Sequence, residues 1–359
     1  MTDTATTTRP VRVGICARKH PLAAELGPLG LLQRCADDGY DGVFFRTILD
    51  VTADLDAGVL RDVRALADEL GLYLEMGLGK INPFNVSEER DIRDIGRGDY
   101  LLGMTRMIEA AAAIGCRELW ADTANYQGHT WGLFAIDRFR TDVEWSEQLR
   151  LTTAFARKLV PVLEAHDAHL AVETHEEITT DELARMGEEV GPRFGVTLDL
   201  ANVVVRGEDP VAATRRVAHL VRQTHMRDVA LFTTPQGVRR QIRAVGDGVI
   251  DWAAVLGALK DAGSTATLTI ENSWRDHNDI PLYLPEWQAA HPDLRTSEVR
   301  ELVRLANGFA ERIAAGEAPA SEDYYANPDA VAGQLGFIET SIARLRETAD
   351  ALWKDDRRW

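Results

Sequence analysis

The pattern of apolar and polar positions alternates between short, nearly continuous apolar runs and longer amphipathic segments along most of the chain. The short runs predict eight strands, at residues 11–17, 41–47, 72–78, 117–123, 168–174, 194–200, 220–226 and 265–271. Apolar runs of this kind are typical of strands that are covered on both faces, as in parallel sheets.

Amphipathic segments with helical spacing lie between these strands and predict helices at residues 28–39, 56–70, 97–114, 145–167, 180–190, 209–219 and 251–262. Eight strands that alternate with helices predict an α/β fold, a (β/α)8 TIM barrel. A doubly wound open sheet is the alternative. It would need a phosphate-binding glycine turn after the first strand, and the segment VGICARKH (13–20) has none.

The domain organisation that we expect is one barrel over residues 11–315, preceded by a polar, disordered leader at 1–10. Residues 316–359 would form a C-terminal helical extension. In this interpretation a helix over 296–315 closes the barrel as its eighth helix. A second helix over 330–354 is then surplus and packs against a neighbour or across the barrel.

Three connections after strand ends, 79–96, 124–144 and 272–294, are much longer than the usual few residues. In a barrel such connections lie on the catalytic face. Their aromatic residues would wall a deep pocket or form a lid, or else only pack the loops onto the barrel. These residues are Phe84, Tyr126, Trp131, Phe134, Trp274, Tyr283 and Trp287.

Composition and charge narrow the classes of partner. The 359 residues are 45% hydrophobic, enough for a large core, and the net charge of −17 disfavours nucleic acid because phosphate backbones are repelled. No stretch approaches the roughly 18 apolar residues of a membrane span. Cys16, Cys35 and Cys116 are few and far apart, which indicates reduced thiols in a cytoplasmic protein.

Four residues in the second half of the chain each lie at the C-terminal end of a predicted strand, after its apolar run. They are Glu173 in HLAVETHEE, Asp199 in FGVTLDLAN, His225 in LVRQTHMRD and Glu271 in ATLTIENSW. A single strand-end Asp is commonly a helix cap and a single His a core residue. Four together predict a shared metal site, because buried carboxylates without a partner are costly and a hard cation accepts these ligands.

Side-chain alternation along the strands supports this interpretation. In a barrel, one parity of each strand points to the axis and the other to the helices. Asp199 shares its parity with Thr197, and Glu173 shares its parity with His175. We therefore expect His175 to face inward as well, one step above Glu173.

The four motifs, VET at 172–174, LDLAN at 198–202, THMRD at 224–228 and IEN at 270–272, resemble the sugar phosphate isomerase/epimerase superfamily of xylose-isomerase-like barrels. The resemblance covers about residues 11–310. It implies one divalent cation, Mn²⁺ first and Mg²⁺, Co²⁺, Zn²⁺ or Fe²⁺ as alternatives.

The same resemblance implies which residues serve this cation and the reaction. The ligands would be Glu173, Asp199, His225 and Glu271. Glu173 and Glu271 would also be the catalytic acid/base pair.

The chain departs from the ketose 3-epimerases of this superfamily at three positions. Asn202 stands where they usually carry a His, Thr179 where they carry a Glu, and Leu231 where they carry an Arg. These differences disfavour a free-ketose 3-epimerase. Asn202 can still bind a sugar hydroxyl, and Arg243, just before the segment VGDGVIDW, is a further candidate for substrate binding.

Two histidines are additional catalytic candidates, because an imidazole titrates near neutral pH and suits acid/base work on a hydroxyl. They are His129, in the long 124–144 connection, and His175. Asp228 could orient the ring of His225. Trp131 and Trp274 would contact the substrate from the pocket wall.

The function expected from these features is a metal-dependent isomerase, epimerase or lyase that acts on a sugar or keto-sugar. It would abstract a proton next to a carbonyl and form a metal-stabilised enediolate. The alternative is the catalytic subunit of a C-glycoside deglycosidase, which cleaves 3-keto C-glycosides of aromatic aglycones. We expect a homo-oligomer, and the alternative adds a smaller partner subunit.

Two other classes fit less well. A DNA-repair endonuclease of the related barrel type would need several zinc ions and more histidine ligands, on a surface that attracts DNA. A non-catalytic barrel that serves as a partner subunit would bind no metal.

Overall fold

The computed structural model describes residues 11–124, 137–140, 142–326 and 329–354. The strands in these ranges are β1 (Val13–Cys16), β2 (Gly42–Phe45), β3 (Tyr73–Lys80), β4 (Glu118–Asp122), β5 (His169–Glu173), β6 (Phe194–Asp199), β7 (Val221–His225), β8 (Asp228–Thr234), β9 (Gly237–Arg243), β10 (Leu268–Ile270) and β11 (His277–Ile280).

The α-helices are α1 (Ala23–Asp37), α2 (Ala57–Glu69), α3 (Arg90–Ile95), α4 (Tyr100–Ala113), α5 (Trp145–Ala165), α6 (Thr180–Val190), α7 (Leu200–Val205), α8 (Pro210–Val217), α9 (Trp252–Asp261), α10 (Pro285–Ala289), α11 (Thr296–Ala314), α12 (Ser321–Tyr324) and α13 (Ala330–Leu352). None of the described helices is long and apolar enough to cross a membrane.

Eight parallel strands form the barrel in the order β10-β1-β2-β3-β4-β5-β6-β7. The ring closes between β7 and β10, where Met226 pairs with Ile270 and the Met226 amide donates a hydrogen bond of 2.7 Å to the Thr269 carbonyl. The predicted (β/α)8 barrel is confirmed, and each predicted strand overlaps an observed one. The carboxyl ends of all eight strands therefore meet at one face.

The helices cover the barrel with the apolar stripes that their sequence pattern predicts. In α4, for example, Met104, Met107, Ile108 and Ala111 recur at helical spacing, and all four are buried. Such a stripe stabilises the helix mainly by the apolar area that it removes from water.

The two last long helices have the opposite roles from those expected. Helix α13 packs against α9, β1 and β10, which is the position of the eighth barrel helix. Helix α11 instead covers β8 and β9, with Phe309 packed edge-on against Phe232 at 5.6 Å between ring centroids. The expected closure of the barrel by the 296–315 helix is therefore wrong.

This exchange follows from a second sheet that the hydrophobic pattern did not predict. Strands β8, β9 and β11 form an antiparallel sheet in the order β11-β9-β8 beside the barrel. The sequence of β9, GVRRQIR, resembles a polar loop, yet Arg240 and Arg243 are fully buried in it. The added sheet has an apolar face of its own, and α11 is the element that covers it.

Candidate functional site

The four residues singled out at strand ends converge at the carboxyl face of the barrel. Glu173 ends β5, Asp199 ends β6, His225 ends β7 and Glu271 directly follows β10. All four are buried, and one ligand atom from each lies within 4.8 Å of the others. The barrel geometry thus brings together side chains that are up to 98 positions apart, from Glu173 to Glu271.

Glu173 and His225 form one half of this cluster. His225 Nδ1 lies 3.0 Å from Glu173 Oε1, and the indole of Trp120 donates a hydrogen bond of 3.0 Å to Glu173 Oε2. The imidazole packs against Phe44, with 5.1 Å between ring centroids. An apolar floor and two directed hydrogen bonds therefore fix both side chains.

Asp199 is held in place by the start of α7. Its Oδ1 accepts hydrogen bonds from the amides of Ala201 and Asn202, so it is also the N-cap of that helix. The side chain of Asn202 donates to Asp199 Oδ2 at 3.1 Å and to Glu173 Oε1 at 3.4 Å. Asn202 thus connects two of the four cluster residues.

Arg227 is a member of the cluster that the sequence reasoning did not identify. Its guanidinium donates to Asp199 from Nε, at 2.9 Å, and from Nη2, and its Nη2 lies 3.0 Å from Glu271 Oε2. Nη1 donates to Ser273 Oγ at 2.6 Å. The signal was available, because Arg227 is two residues beyond His225 and shares its inward parity.

The charges of the cluster shift the protonation of its members. Burial raises the pKa of Asp199 to about 6, and the negative Glu173 and Glu271 add to this shift against the opposing effect of Arg227. Burial also opposes the charged form of Glu173, but the neighbouring His225 outweighs it and holds the pKa of Glu173 below its usual range. The pKa of His225 is correspondingly raised.

The four side chains fit a divalent cation. Two ligands on opposite sides of one ion, at bond lengths of about 2.0–2.4 Å, lie about 4–5 Å apart, which matches the span of the cluster. Glu271 Oε2 is buried and accepts no hydrogen bond, and its contact with Arg227 Nη2 at 3.0 Å is an ion pair only. Three carboxylates and one imidazole are ligands for Mn²⁺, Mg²⁺ or Zn²⁺.

A cavity of about 640 Å³ opens above the cluster at the carboxyl face. Of the predicted site residues, Glu173, His225 and Glu271 line it together with His175, Asn202 and Trp274. Arg227 also lines it. Lys19 and Arg46 contribute positive charge to the cavity lining, and Phe44 and Trp120 contribute aromatic surface.

His175 faces the cavity, as its parity predicted. Its Nδ1 lies 2.6 Å from Glu177 Oε2, and the other oxygen of that buried carboxylate accepts a hydrogen bond from Thr123. Burial alone would lower the pKa of His175, but the Glu177 carboxylate outweighs burial and raises the pKa to about 10. The raised pKa favours the protonated ring, which donates hydrogen bonds.

Trp274 connects the cavity wall to the C-terminal part of the chain. Its ring meets Tyr325 edge-on at 4.7 Å between centroids and lies directly against the backbone of Gly333 in α13. Gln334 of the same helix lines the cavity and accepts a hydrogen bond of 3.2 Å from Asn272. Helix α13 thus contributes to the site as well as to the barrel.

Other candidates lie elsewhere. Arg243 is not among the cavity-lining residues, because its guanidinium lies over the ring of Tyr324 at 3.8 Å, against α12. Among the described residues, Asp228 forms no hydrogen bond with the ring of His225. Its carboxylate instead accepts a hydrogen bond of 2.8 Å from the indole of Trp252. His129 and Trp131 lie outside the described residues.

Comparison with known proteins identifies a family for most of this chain. Residues 32–301 match the family model described as a xylose isomerase-like TIM barrel. Among curated protein sequences, none matches the chain significantly.

Solved structures with the same fold include two sugar epimerases and a barrel protein bound to magnesium. D-psicose 3-epimerase from Clostridium cellulolyticum H10, with D-tagatose, has a TM-score of 0.56 at 15% identity and covers 86% of this chain and 100% of its own. The 3-keto-D-glucoside 4-epimerase from E. coli has a TM-score of 0.53 at 17% identity, and the match covers 82% of this chain and 99% of its own. A xylose isomerase-like TIM barrel protein from Mycobacterium smegmatis in complex with magnesium has a TM-score of 0.55 at 14% identity, and the match covers 80% of this chain and 98% of its own. At these identities the likeness shows the fold.

Proposed function

Because the chain belongs to the xylose isomerase-like TIM barrel family, we propose that it is a divalent-metal-dependent enzyme that acts on a sugar or keto-sugar. The reaction moves a proton at a carbon next to a carbonyl group. One observation carries the proposal: four buried metal-type ligands lie within 4.8 Å of one another below a cavity of about 640 Å³.

In this proposal Glu173, Asp199, His225 and Glu271 hold the cation, for which Mn²⁺ is our first choice. When bound, the cation supplies Lewis-acid stabilisation of the negative charge that develops on the substrate oxygen. One of the two carboxylates, Glu173 or Glu271, removes the proton from the carbon, and in an epimerisation the other delivers a proton to the opposite face of that carbon.

The surrounding residues position the substrate. Asn202 and the His175 imidazolium give the cavity two polar groups for sugar hydroxyls, and Trp274 offers an aromatic wall on which a sugar face or an aryl group can pack. Isomerisation, epimerisation and β-elimination all begin with the same proton abstraction. The proposed chemistry is common to the three outcomes.

The cation site is tested by the metal content of the purified protein. We expect about one divalent cation per chain in the wild type and a loss of that cation in a Glu173→Ala/Asp199→Ala double variant. Glu69→Ala, which removes an exposed carboxylate of α2, is the matched control and should keep the wild-type content. Equal metal in the wild type and the double variant would refute the site.

The proton transfer is tested by exchange with solvent. Ketoses and 3-keto glycosides are incubated with the Mn²⁺-loaded protein in D2O, and NMR follows deuterium at the carbon next to the carbonyl. We expect incorporation with at least one substrate and a fall of about 10²–10⁴-fold in rate in Glu271→Gln, the range for loss of a general acid or base. Absence of exchange with every ketone would contradict the reaction class.

A second candidate function is cleavage of 3-keto C-glycosides of aromatic aglycones, with a smaller partner subunit. The cavity favours this candidate, because about 640 Å³ and the aromatic surfaces of Phe44, Trp120 and Trp274 suit a ligand larger than a free sugar. Chromatography of reactions with a panel of such glycosides would detect the released aglycone. Release of none of them would exclude this cleavage as an activity of this chain without a partner subunit.

A further inference from the structure

We propose that Arg227 is a built-in competitor of the divalent cation: its guanidinium holds Asp199 and Glu271 together and must give up these contacts when the cation binds. This inference rests on the cation site of the proposed function. It assigns to Arg227 a role in setting metal affinity, in addition to the four ligands themselves.

The contacts divide the four ligands into two pairs. Glu173 pairs with His225 at 3.0 Å, and Asp199 and Glu271 are bridged by Arg227. The guanidinium makes three hydrogen bonds to Asp199, two from Nε and one from Nη2. Two of the four ligands thus already share one positive charge of the protein.

The position of Arg227 is itself well defined. Its side chain is buried, Nη1 donates to Ser273 Oγ at 2.6 Å and Nη2 donates to the Asn202 side-chain oxygen at 3.1 Å. These neutral partners hold the guanidinium at the edge of the cluster, where it also lines the cavity. A planar fork with fixed donors is suited to bridging two carboxylates in this manner.

Electrostatics makes the two occupants compete. The guanidinium is hydrogen-bonded to Asp199 and forms an ion pair with Glu271. A cation bound by these two carboxylates would lie close to it, and the two positive charges repel each other in a buried site. While Arg227 stays in place, its positive charge also offsets part of the negative charge that would attract the cation. Metal binding is therefore weaker than the four ligands alone would give, because the contacts of Arg227 must be broken when the cation binds.

The test is a titration of chelator-treated, metal-free protein with Mn²⁺ in the absence of substrate, followed by the EPR signal of free Mn²⁺. In Arg227→Met, which keeps most of the apolar stem but not the charge, we expect binding tighter by about 10- to 100-fold, the factor that one or two charge-assisted hydrogen bonds represent. In Arg227→Lys we expect an intermediate gain, because an ammonium cannot bond to Asp199 in two directions.

Controls separate this effect from a general change in the protein. Arg206→Met removes an equally buried guanidinium that pairs with His291 and contacts none of the four ligands, and should leave the Mn²⁺ affinity within about twofold of the wild type. If Arg227→Met does not fold without metal, the Arg227→Lys titration decides the question.

The outcomes are distinguishable from failure of the proposed function. Equal or weaker Mn²⁺ binding in both Arg227 variants, with normal binding in the wild type, would overturn the competitor role and leave the cation site intact. No binding to the wild type or to either variant would overturn both. Binding to an Arg227 variant that exceeds that of the wild type supports both.

Discussion

Glu75 is a carboxyl group inside the barrel, on β3 and well away in sequence from the proposed metal ligands. Its Oε1 accepts a hydrogen bond of 2.5 Å from Thr267 Oγ1, and its Oε2 is buried without a hydrogen-bond partner. Burial raises the pKa of Glu75 to about 7, and the nearby Glu118 adds to the shift while Thr267 and His225 oppose it. The folded protein therefore favours the neutral acid.

This shift predicts a pH-dependent effect of Glu75→Gln. The folded pKa exceeds the usual value of 4.5, so the stability linked to the bound proton is complete below about pH 4.5 and is lost as the pH rises to about 7. Gln stays neutral throughout. Relative to the wild type, the variant should gain about 1–3 kcal/mol in free energy of unfolding between pH 5 and pH 8, measured by urea denaturation.

Glu69→Gln is the control for this experiment, because Glu69 is exposed on α2 and its substitution should show no such trend. A Glu75→Gln difference that is the same at both pH values would contradict the raised pKa.

At the residue scale, alternation explains what could be predicted from the sequence. A strand-end residue of known parity has a known direction, so Glu173, Asp199, His225 and Glu271 could be expected to meet before any coordinates were known. Arg227 obeys the same rule. It was missed because an arginine was not expected among metal ligands, and only the distances to Asp199 and Glu271 show that it lies there.

At the element scale, the buried Arg240 connects β9 to the loops and the helix at the carboxyl face of the barrel. Arg240 donates to Glu176 Oε1 at 2.8 Å and to Asp276 Oδ2 at 3.0 Å, and its other terminal nitrogen reaches the Ala201 carbonyl at 3.1 Å. The preceding Arg239 points to the opposite face and pairs with the half-exposed Asp279. Two adjacent arginines thus experience very different environments.

Substituting each arginine by Met tests this difference. Arg240→Met should lower the free energy of unfolding by about 3–5 kcal/mol, because Glu176 is left buried without its cation. Arg239→Met should lower it by about 1 kcal/mol or less, since exposed ion pairs contribute little. Chemical denaturation of both variants gives the comparison, and equal losses would show that Arg240 does not anchor the sheet.

Helix α13 and the loop after β10 meet at Gly333. A Cβ at this position would lie 2.5 Å from Trp274 Cζ2 and 2.6 Å from Cη2, so one of the two must move. Gly336 is on the same helix and has open space where its Cβ would be. The pair separates steric conflict from helix propensity.

Gly333→Ala should therefore destabilise the protein by about 1–3 kcal/mol, as overpacking does. Gly336→Ala should be neutral or stabilise it by up to about 1 kcal/mol, because alanine loses less backbone entropy in a helix. Thermal unfolding of the two variants measures the signs. The same sign in both would mean that Trp274 yields without cost.

At the scale of the whole molecule, the barrel was predictable and the assignment of its last helix was not. Eight apolar runs separated by amphipathic segments permit few other folds, since parallel strands need crossover helices. Chain order suggested that the helix after β10 closes the ring. It does not, because β8, β9 and β11 create a second apolar surface. The buried arginines of β9 make that strand look polar, so the surface could not be predicted from the hydrophobic pattern. Helix α11 covers that surface and α13 takes the vacant place on the barrel.

This arrangement predicts that the C-terminal segment is indispensable for folding. Four large side chains of α13 are buried against the barrel: Phe337, Ile338, Ile342 and Leu345. Each contributes about 1.5–3 kcal/mol on burial, which together approaches the whole stability of an ordinary protein, about 5–15 kcal/mol. A chain ending at residue 320 should be insoluble or lack a cooperative thermal transition by circular dichroism.

A chain ending at Lys354 is the control for truncation as such, because it keeps both α12 and α13, including Leu352, whose carbonyl accepts a hydrogen bond of 2.8 Å from Lys260 in α9. It should unfold within a few degrees of the full chain. If the chain ending at residue 320 unfolded cooperatively near the same temperature, α13 would be an appendage and the barrel would have to close over β1 and β10 without it. The exposed faces of those strands and of α9 would then form an apolar surface larger than a soluble monomer normally presents, and association of the shortened chain would be the expected consequence.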